Sequence, residues 1–130
     1  MSEMKTIAVS GLIGAALDWA VAKAEGIKTK AELSGDDGSG NPVEWLSWDN
    51  GFGPKQWSPS SDWSVCGPLI AKYHAEFKRG AVRMYTASLL VDGKPFNGIG
   101  ATHLEAFCRG LVHAKLGRDV EYPARYERTA

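Results

Sequence analysis

Residues 82–117 read Val82-Arg-Met-Tyr-Thr-Ala-Ser-Leu-Leu-Val91-Asp-Gly-Lys-Pro-Phe-Asn-Gly-Ile-Gly100-Ala-Thr-His-Leu-Glu-Ala-Phe-Cys-Arg-Gly110-Leu-Val-His-Ala-Lys-Leu-Gly117. Two periodicities meet in this stretch. From Val82 to Val91 β-branched and aromatic side chains dominate, and Asp92-Gly93 follows, a dipeptide suited to tight reversal. That combination predicts a strand closed by a turn. Further on, Leu104, Phe107, Cys108, Leu111 and Val112 recur at helical spacing over two turns. Thr102 and Glu105 stand as a T-x-x-E capping box before them, and Gly117 follows as a helix-ending glycine. A helix is predicted over 102–116.

Working outward, Ile13, Ala16, Leu17, Ala20, Val21 and Ala24 fall on one helical stripe, with Ser10 available as a cap and Gly26 as a stop. They predict a helix over 11–25. Gly67-Pro68 reads as a turn, and Leu69-Ile70-Ala71-Lys72-Tyr73-His74 as a strand after it. Lys78-Arg79-Gly80 would make the short link of an antiparallel pair with the 82–91 strand. Between Ser34 and Asp62, five Gly, three Pro and six Ser mark loop and turn, yet Trp45, Trp48 and Trp57 lie among them. Large aromatics are unfavourable in a freely solvated linker. A long surface excursion over 34–57, pinned by tryptophans and carrying a short strand near 43–48, reconciles the two. Residues 34–42 offer little apolar area against their ordering entropy and are expected to be its most mobile part. The fold class is α+β: two helices packed on one face of a small antiparallel sheet of two to three strands, in a single domain over 1–130.

With 130 residues, a 44% hydrophobic fraction and 13 aromatics, the chain can bury a core without disulfide or metal support, which excludes a wholly disordered protein. Cys66 and Cys108 are too few and too far apart for a disulfide framework and are expected to be reduced packing residues. No signal-peptide pattern stands at the N-terminus. The most apolar run, Gly11–Ala22, is interrupted by Asp18 and shorter than the roughly 20 residues of a membrane span. A cytoplasmic protein that does not engage membranes is expected. Fifteen basic and fifteen acidic residues cancel, which argues against a general nucleic-acid coat. The charges are nonetheless segregated. Residues 31–64 carry −5 and residues 65–118 carry +5. Either the acidic segment solvates the basic half, or the basic half faces an anionic ligand.

Three blocks resemble one family: Gly14-Ala-Ala-Leu-Asp-Trp-Ala-Val-Ala-Lys-Ala-Glu-Gly26, then Ser58-Pro-Ser-Ser-Asp-Trp-Ser-Val-Cys-Gly-Pro-Leu-Ile70, then Gly98–Pro123 with Lys115-Leu-Gly-Arg-Asp-Val-Glu-Tyr-Pro at its end. In this order they resemble the NinX-like family of small bacteriophage proteins. The resemblance implies a phage or prophage protein acting in the cytoplasm of the bacterial host. It supplies a context and no reaction.

The residues themselves offer no catalytic template. There is no GxxxxGK[ST] loop, HExxH helix or GxSxG elbow, and His74, His103 and His113 are scattered. Neither a metal nor another cofactor is expected. The Asp-Trp pairs stand out. Asp18-Trp19 lies mid-helix, and Asp62-Trp63 follows Ser60-Ser61. On a structural reading each Trp fills core volume and Asp62 closes an Asx turn. On a functional reading the four residues form a groove whose indoles stack a planar ligand and whose carboxylates accept its donors. That reading expects Asp62 and Trp63 beside Trp19, at the mouth of the principal pocket. A weaker candidate is the turn through Gly98, Gly100 and Thr102, where backbone N–H groups at a helix start would attract an anion. A double-stranded RNA-binding domain has a similar element order. The lysine cluster that such a domain needs at its last helix is absent from Ala101-Thr102-His103-Leu104-Glu105. Nucleic acid is therefore not expected as a partner. The sequence points to a phage accessory protein that works by binding a host protein or a nucleotide-like small molecule. The alternative is an enzyme acting on a nucleotide or nucleic-acid intermediate through Asp18 and Asp62.

Overall fold

A glycine pair meets a helix at backbone distance, and the largest sheet is organised around that contact. A computed structural model describes residues 4–34, 43–49 and 54–123 of the chain. The elements in order are β1 (Met4–Ala8), a 3-10 turn (Val9–Gly11), α1 (Gly14–Glu25), β2 (Lys30–Ser34), β3 (Val43–Asp49), β4 (Pro54–Gln56), α2 (Trp63–Lys72), β5 (Glu76–Arg79), β6 (Tyr85–Val91), β7 (Lys94–Gly100), α3 (His103–Leu116) and β8 (Asp119–Pro123). The architecture is α+β.

The Asp92-Gly93 reversal joins β6 to β7, with Val91 paired to Lys94 and positive φ at both turn residues. This is the two-residue hairpin turn whose twist suits the flanking strands. Along β6 the side chains of Ala87, Leu89 and Val91 are buried, and Gly98 and Gly100 of β7 lie on the same face. α3 rests on that face. A Cβ built on Gly98 would fall 2.1 Å from the Ala106 carbonyl oxygen and 2.3 Å from the Gly110 nitrogen. One on Gly100 would fall 2.6 Å from the Ala106 nitrogen, and one on Gly110 2.7 Å from a Leu89 methyl. Ala106 and Gly110, one turn apart, thus present bare backbone to a strand that is itself bare at alternate positions.

The rest of α3 is covered as well: Leu104, Phe107, Cys108, Leu111 and Val112 are all buried. α1 packs across α3 and also meets β3 and β8, burying Leu17, Ala20 and Val21 in the same core. Both helices end as their sequences require. Gly26 adopts φ 70° and takes two carbonyls of the last α1 turn. Thr102 accepts the Glu105 amide at 3.1 Å, while the Glu105 carboxylate accepts the Ala101 N–H at 3.2 Å.

Several expectations need correction. Among the described residues there are three antiparallel sheets, β5-β6-β7, β2-β3-β4 and β1-β8, in place of one, and three α-helices in place of two. Of the 69–74 stretch, Leu69–Lys72 belong to α2 and Tyr73 and His74 to the turn that ends it; the strand that pairs with β6 lies further on, at 76–79. Pro68 sits inside that helix, which Asp62 caps by accepting the Ser64 amide at 2.9 Å. The 82–91 strand begins at Tyr85, after a turn in which Met84 bonds back to Ala81. Ser10 caps nothing: it lies in the 3-10 turn, and α1 starts at Gly14 behind Ile13. Within 34–57 the strand expected near 43–48 is present as β3, a further strand, β4, follows it, and Trp57 is buried edge-on against Trp48 with ring centroids 5.0 Å apart. The expectation of mobility over 34–42 falls, from residue 35 on, outside the described residues.

The glycine contact makes a sharp prediction. Gly98→Ala forces a methyl into backbone that has no flexible end to yield, and urea unfolding should show a loss of about 3 kcal/mol or more. Gly67→Ala, in α2 with nothing within 4 Å of the added carbon, should gain about 0.5–1 kcal/mol. Equal, small effects at the two positions would contradict this packing.

Candidate functional site

Asp18 projects from α1 toward the 57–62 segment. Its backbone carbonyl accepts the Trp57 indole N–H at 2.8 Å, and its Oδ1 accepts the Ser60 amide at 2.8 Å. The carboxyl group is only 7% exposed. Burial pushes its pKa up to about 6, against the opposing pull of the Ser60 hydrogen bonds. This one side chain therefore joins the two Asp-Trp segments, 42 residues apart in sequence.

Asp62 does different work. Its Oδ1 accepts both the amide and the hydroxyl of Ser64, at 2.9 and 2.7 Å, which starts α2 and holds the carboxyl below its ordinary pKa. The next residue, Trp63, is 56% exposed. Its indole stands over a set of rings from three other elements. The Trp63–Phe77 and Trp63–His103 centroids are 6.5 and 6.0 Å apart, Phe77–His103 5.1 Å, and Tyr85–His103 4.2 Å. The β5–β6 register pairs Phe77 with Ala87 and Arg79 with Tyr85, which puts the Phe77 and Tyr85 rings diagonally across the ladder. His103, the first residue of α3, closes the group. A hollow of about 280 Å³ opens beside Trp63, walled by Ser60, Ser61, Thr102, His103 and Leu104.

Trp19 is elsewhere. It lines a separate hollow with Ala22, Lys23, Ile27, Lys28 and Thr29, and the Lys23 ammonium lies 5.3 Å from its ring centroid. The structure thus joins the segments carrying Asp18 and Asp62 but does not bring the half-buried Trp19 and the exposed Trp63 to one mouth. Gly98 and Gly100 lie in β7 against the α3 backbone, not in a turn, and the Thr102 hydroxyl is occupied by the Glu105 amide. His103, Phe77 and Tyr85 escaped the sequence reading because only the strand register and the start of α3 assemble them.

Among the described residues no group of three or more His, Cys, Asp or Glu is placed to hold a metal ion. Cys66 and Cys108 are fully buried, and burial, together with the neighbouring Cys66 thiol, raises the Cys108 pKa well above its ordinary value. No helix among the described residues is long and apolar enough to cross a membrane.

The Asp18 carboxyl yields a pH prediction. Its folded pKa, about 6, lies above the ordinary 3.8. The stability it contributes is therefore fully present below pH 3.8 and is lost as pH rises through about 6. Asp18→Asn keeps an acceptor for Ser60 and abolishes the titration. From well below pH 3.8 to well above pH 6 the wild type should lose about 3 kcal/mol relative to Asp18→Asn, about 2 kcal/mol of it between pH 4 and 6, and the difference should then level off. Urea midpoints that keep a constant difference from pH 4 to 7 would show that this carboxyl is not buried as described.

No curated protein matches this chain. One family model does, that of bacteriophage P22 NinX, over residues 8–115. The match runs from the end of β1 to the last turn of α3. It therefore takes in both Asp-Trp pairs, the hollow beside Trp63 and the seam between β7 and α3. On that coverage the chain belongs to the phage NinX family.

Proposed function

We propose that this phage protein acts by binding, and that a planar small molecule of the nucleobase or nucleotide class stacks at Trp63. One observation carries the reading. Trp63 is left 56% exposed at the rim of a hollow although the Phe77 and His103 rings lie within reach of it. Exposed indole surface costs free energy in water, and a π-face beside an imidazole and a polar wall of Ser60, Ser61 and Thr102 suits a flat, hydrogen-bonding ligand. The hollow is of ligand size. The enzymatic alternative has less to work with. Asp62 is spent on capping α2, and Asp18 holds the Ser60 amide, so neither carboxylate is a group in search of a substrate proton.

Native mass spectrometry of protein purified from phage-infected cells tests this directly. The wild type should carry a small retained mass that Trp63→Ala lacks. Because the indole is largely exposed, that variant should lose no more than about 1 kcal/mol of stability. A retained host protein in place of a small molecule, a bare wild type, or a ligand held equally by Trp63→Ala would overturn the proposal. Turnover abolished by Asp62→Asn at unchanged affinity would favour the enzyme.

A further inference from the structure

A second hollow, lined by basic side chains, shares no residue with the one beside Trp63. Between the 3-10 turn, β7 and α3 there is a cavity of about 270 Å³. Arg109, His113 and Arg118 line it together with the polar residues Ser10 and Asn97. Ala8, Val9, Gly98 and Ile99 supply apolar walls.

The three basic residues are not equivalent. Arg109 is fixed in place: its Nε donates to the Leu12 carbonyl at 3.1 Å and its Nη1 to the Ile99 carbonyl at 3.0 Å. The same Nη1 lies 2.9 Å from the Glu105 carboxylate, so Arg109 arrives with its charge balanced and its fork held rigid. His113 and Arg118 are exposed, and among the described residues neither has a carboxylate partner. His113 meets the Phe96 ring edge-on at 6.1 Å, which orients the imidazole. Basic residues in the last turn of a helix balance its dipole, and that accounts for His113 and Lys115. It does not account for Arg109, a turn earlier, or Arg118, beyond the helix, converging with His113 on one cavity. The segment from 65 to 118 carries a net +5, and this cavity is where part of that excess faces inward.

We propose that the cavity binds a phosphate monoester with a small apolar body. A guanidinium fork matches tetrahedral oxygens bidentately. The Arg118 charge, which no carboxylate balances among the described residues, stands with the His113 imidazole donor on the same cavity, a set better suited to a phosphate than to a carboxylate. The walls from Ala8, Val9, Gly98 and Ile99 then cover the ester's organic part, so inorganic phosphate fills the charged half alone. Gly98 takes part as wall and not as a turn donating N–H groups, since its backbone is engaged in the β6–β7 ladder.

The test is a two-dimensional amide NMR titration of the full chain with phenyl phosphate, inorganic phosphate and benzyl alcohol. Phenyl phosphate should shift the amides of Gly98, Ile99, His113 and Arg118, and bind at least tenfold more tightly than inorganic phosphate. Benzyl alcohol should leave these amides unmoved. Arg118→Gln and His113→Gln, both at exposed positions, should keep the native amide spectrum and each weaken phenyl phosphate tenfold or more, with Arg118→Lys recovering part of the loss. Trp63→Ala should change nothing, so the outcome is independent of the stacking site. Shifts centred elsewhere, equal affinity for phenyl and inorganic phosphate, or full affinity in Arg118→Gln would overturn the proposal.

Discussion

Everything in this structure is set out from the place where Gly98 and Gly100 of β7 meet Ala106 and Gly110 of α3. Side chains on a helix normally hold it well away from a sheet. Here none intervenes, and a single added carbon on Gly98 would come within 2.3 Å of backbone atoms at two points. So close an approach makes α3 nearly part of the sheet. Dispersion contacts that are individually small become numerous when backbone touches backbone. The helix is left with its other sides free to be buried by α1 and by β8. That is why a 14-residue helix with Arg109, Glu105 and His113 on it can still bury seven residues.

Fixing α3 in this way also fixes what lies at its two ends. At its start, His103 is delivered beside Trp63 and Tyr85, while Thr102 takes the Glu105 amide and Glu105 the Ala101 amide. In its second half, Arg109 and His113 are delivered to the cavity beside the 3-10 turn. α1, laid across α3, brings Asp18 to the Ser60 amide and so ties down the segment that leads into Asp62 and Trp63. A second clamp joins the far ends of α1 and α2. Glu25 accepts from the Lys72 ammonium at 2.9 Å and from the Tyr73 hydroxyl, and the Tyr73 carbonyl takes the Leu90 amide of β6. The two candidate sites therefore share one scaffold without sharing a surface.

Local pattern made the strongest elements legible. The stripe from Ile13 to Ala24 and the one from Leu104 to Val112 gave α1 and α3 to within three residues, because burial on one side of a helix leaves a period that sequence displays directly. α2 was masked by Gly67-Pro68. A glycine-proline pair reads as a break, yet Val65, Cys66, Leu69, Ile70 and Tyr73 keep helical spacing across it and the Asp62 cap holds the start. β1 and β8 pair residues more than 110 positions apart, which no local window contains. The spacing of Gly98 and Gly100 suggests freedom to turn, whereas their use here is the missing side chain: they stand two apart on one face of β7 and meet Ala106 and Gly110, one helical turn apart. At the candidate site, the bond from Asp62 to nearby backbone could be read from sequence as an Asx turn, though not that it starts a helix. The burial of Asp18 and the arrival of His103 depend on helix packing and strand register, and could not.

The most direct measurement of the central contact is a nuclear Overhauser spectrum of the native protein in solution. If α3 lies on β7 with no side chain between them, the Hα protons of Gly98 and Gly110 should give strong mutual cross-peaks, and the Gly100 Hα protons should give them with the Ala106 amide. Absence of both sets, in a spectrum that does show the β6–β7 ladder, would mean that the helix stands off the sheet at side-chain distance and that the seam does not exist.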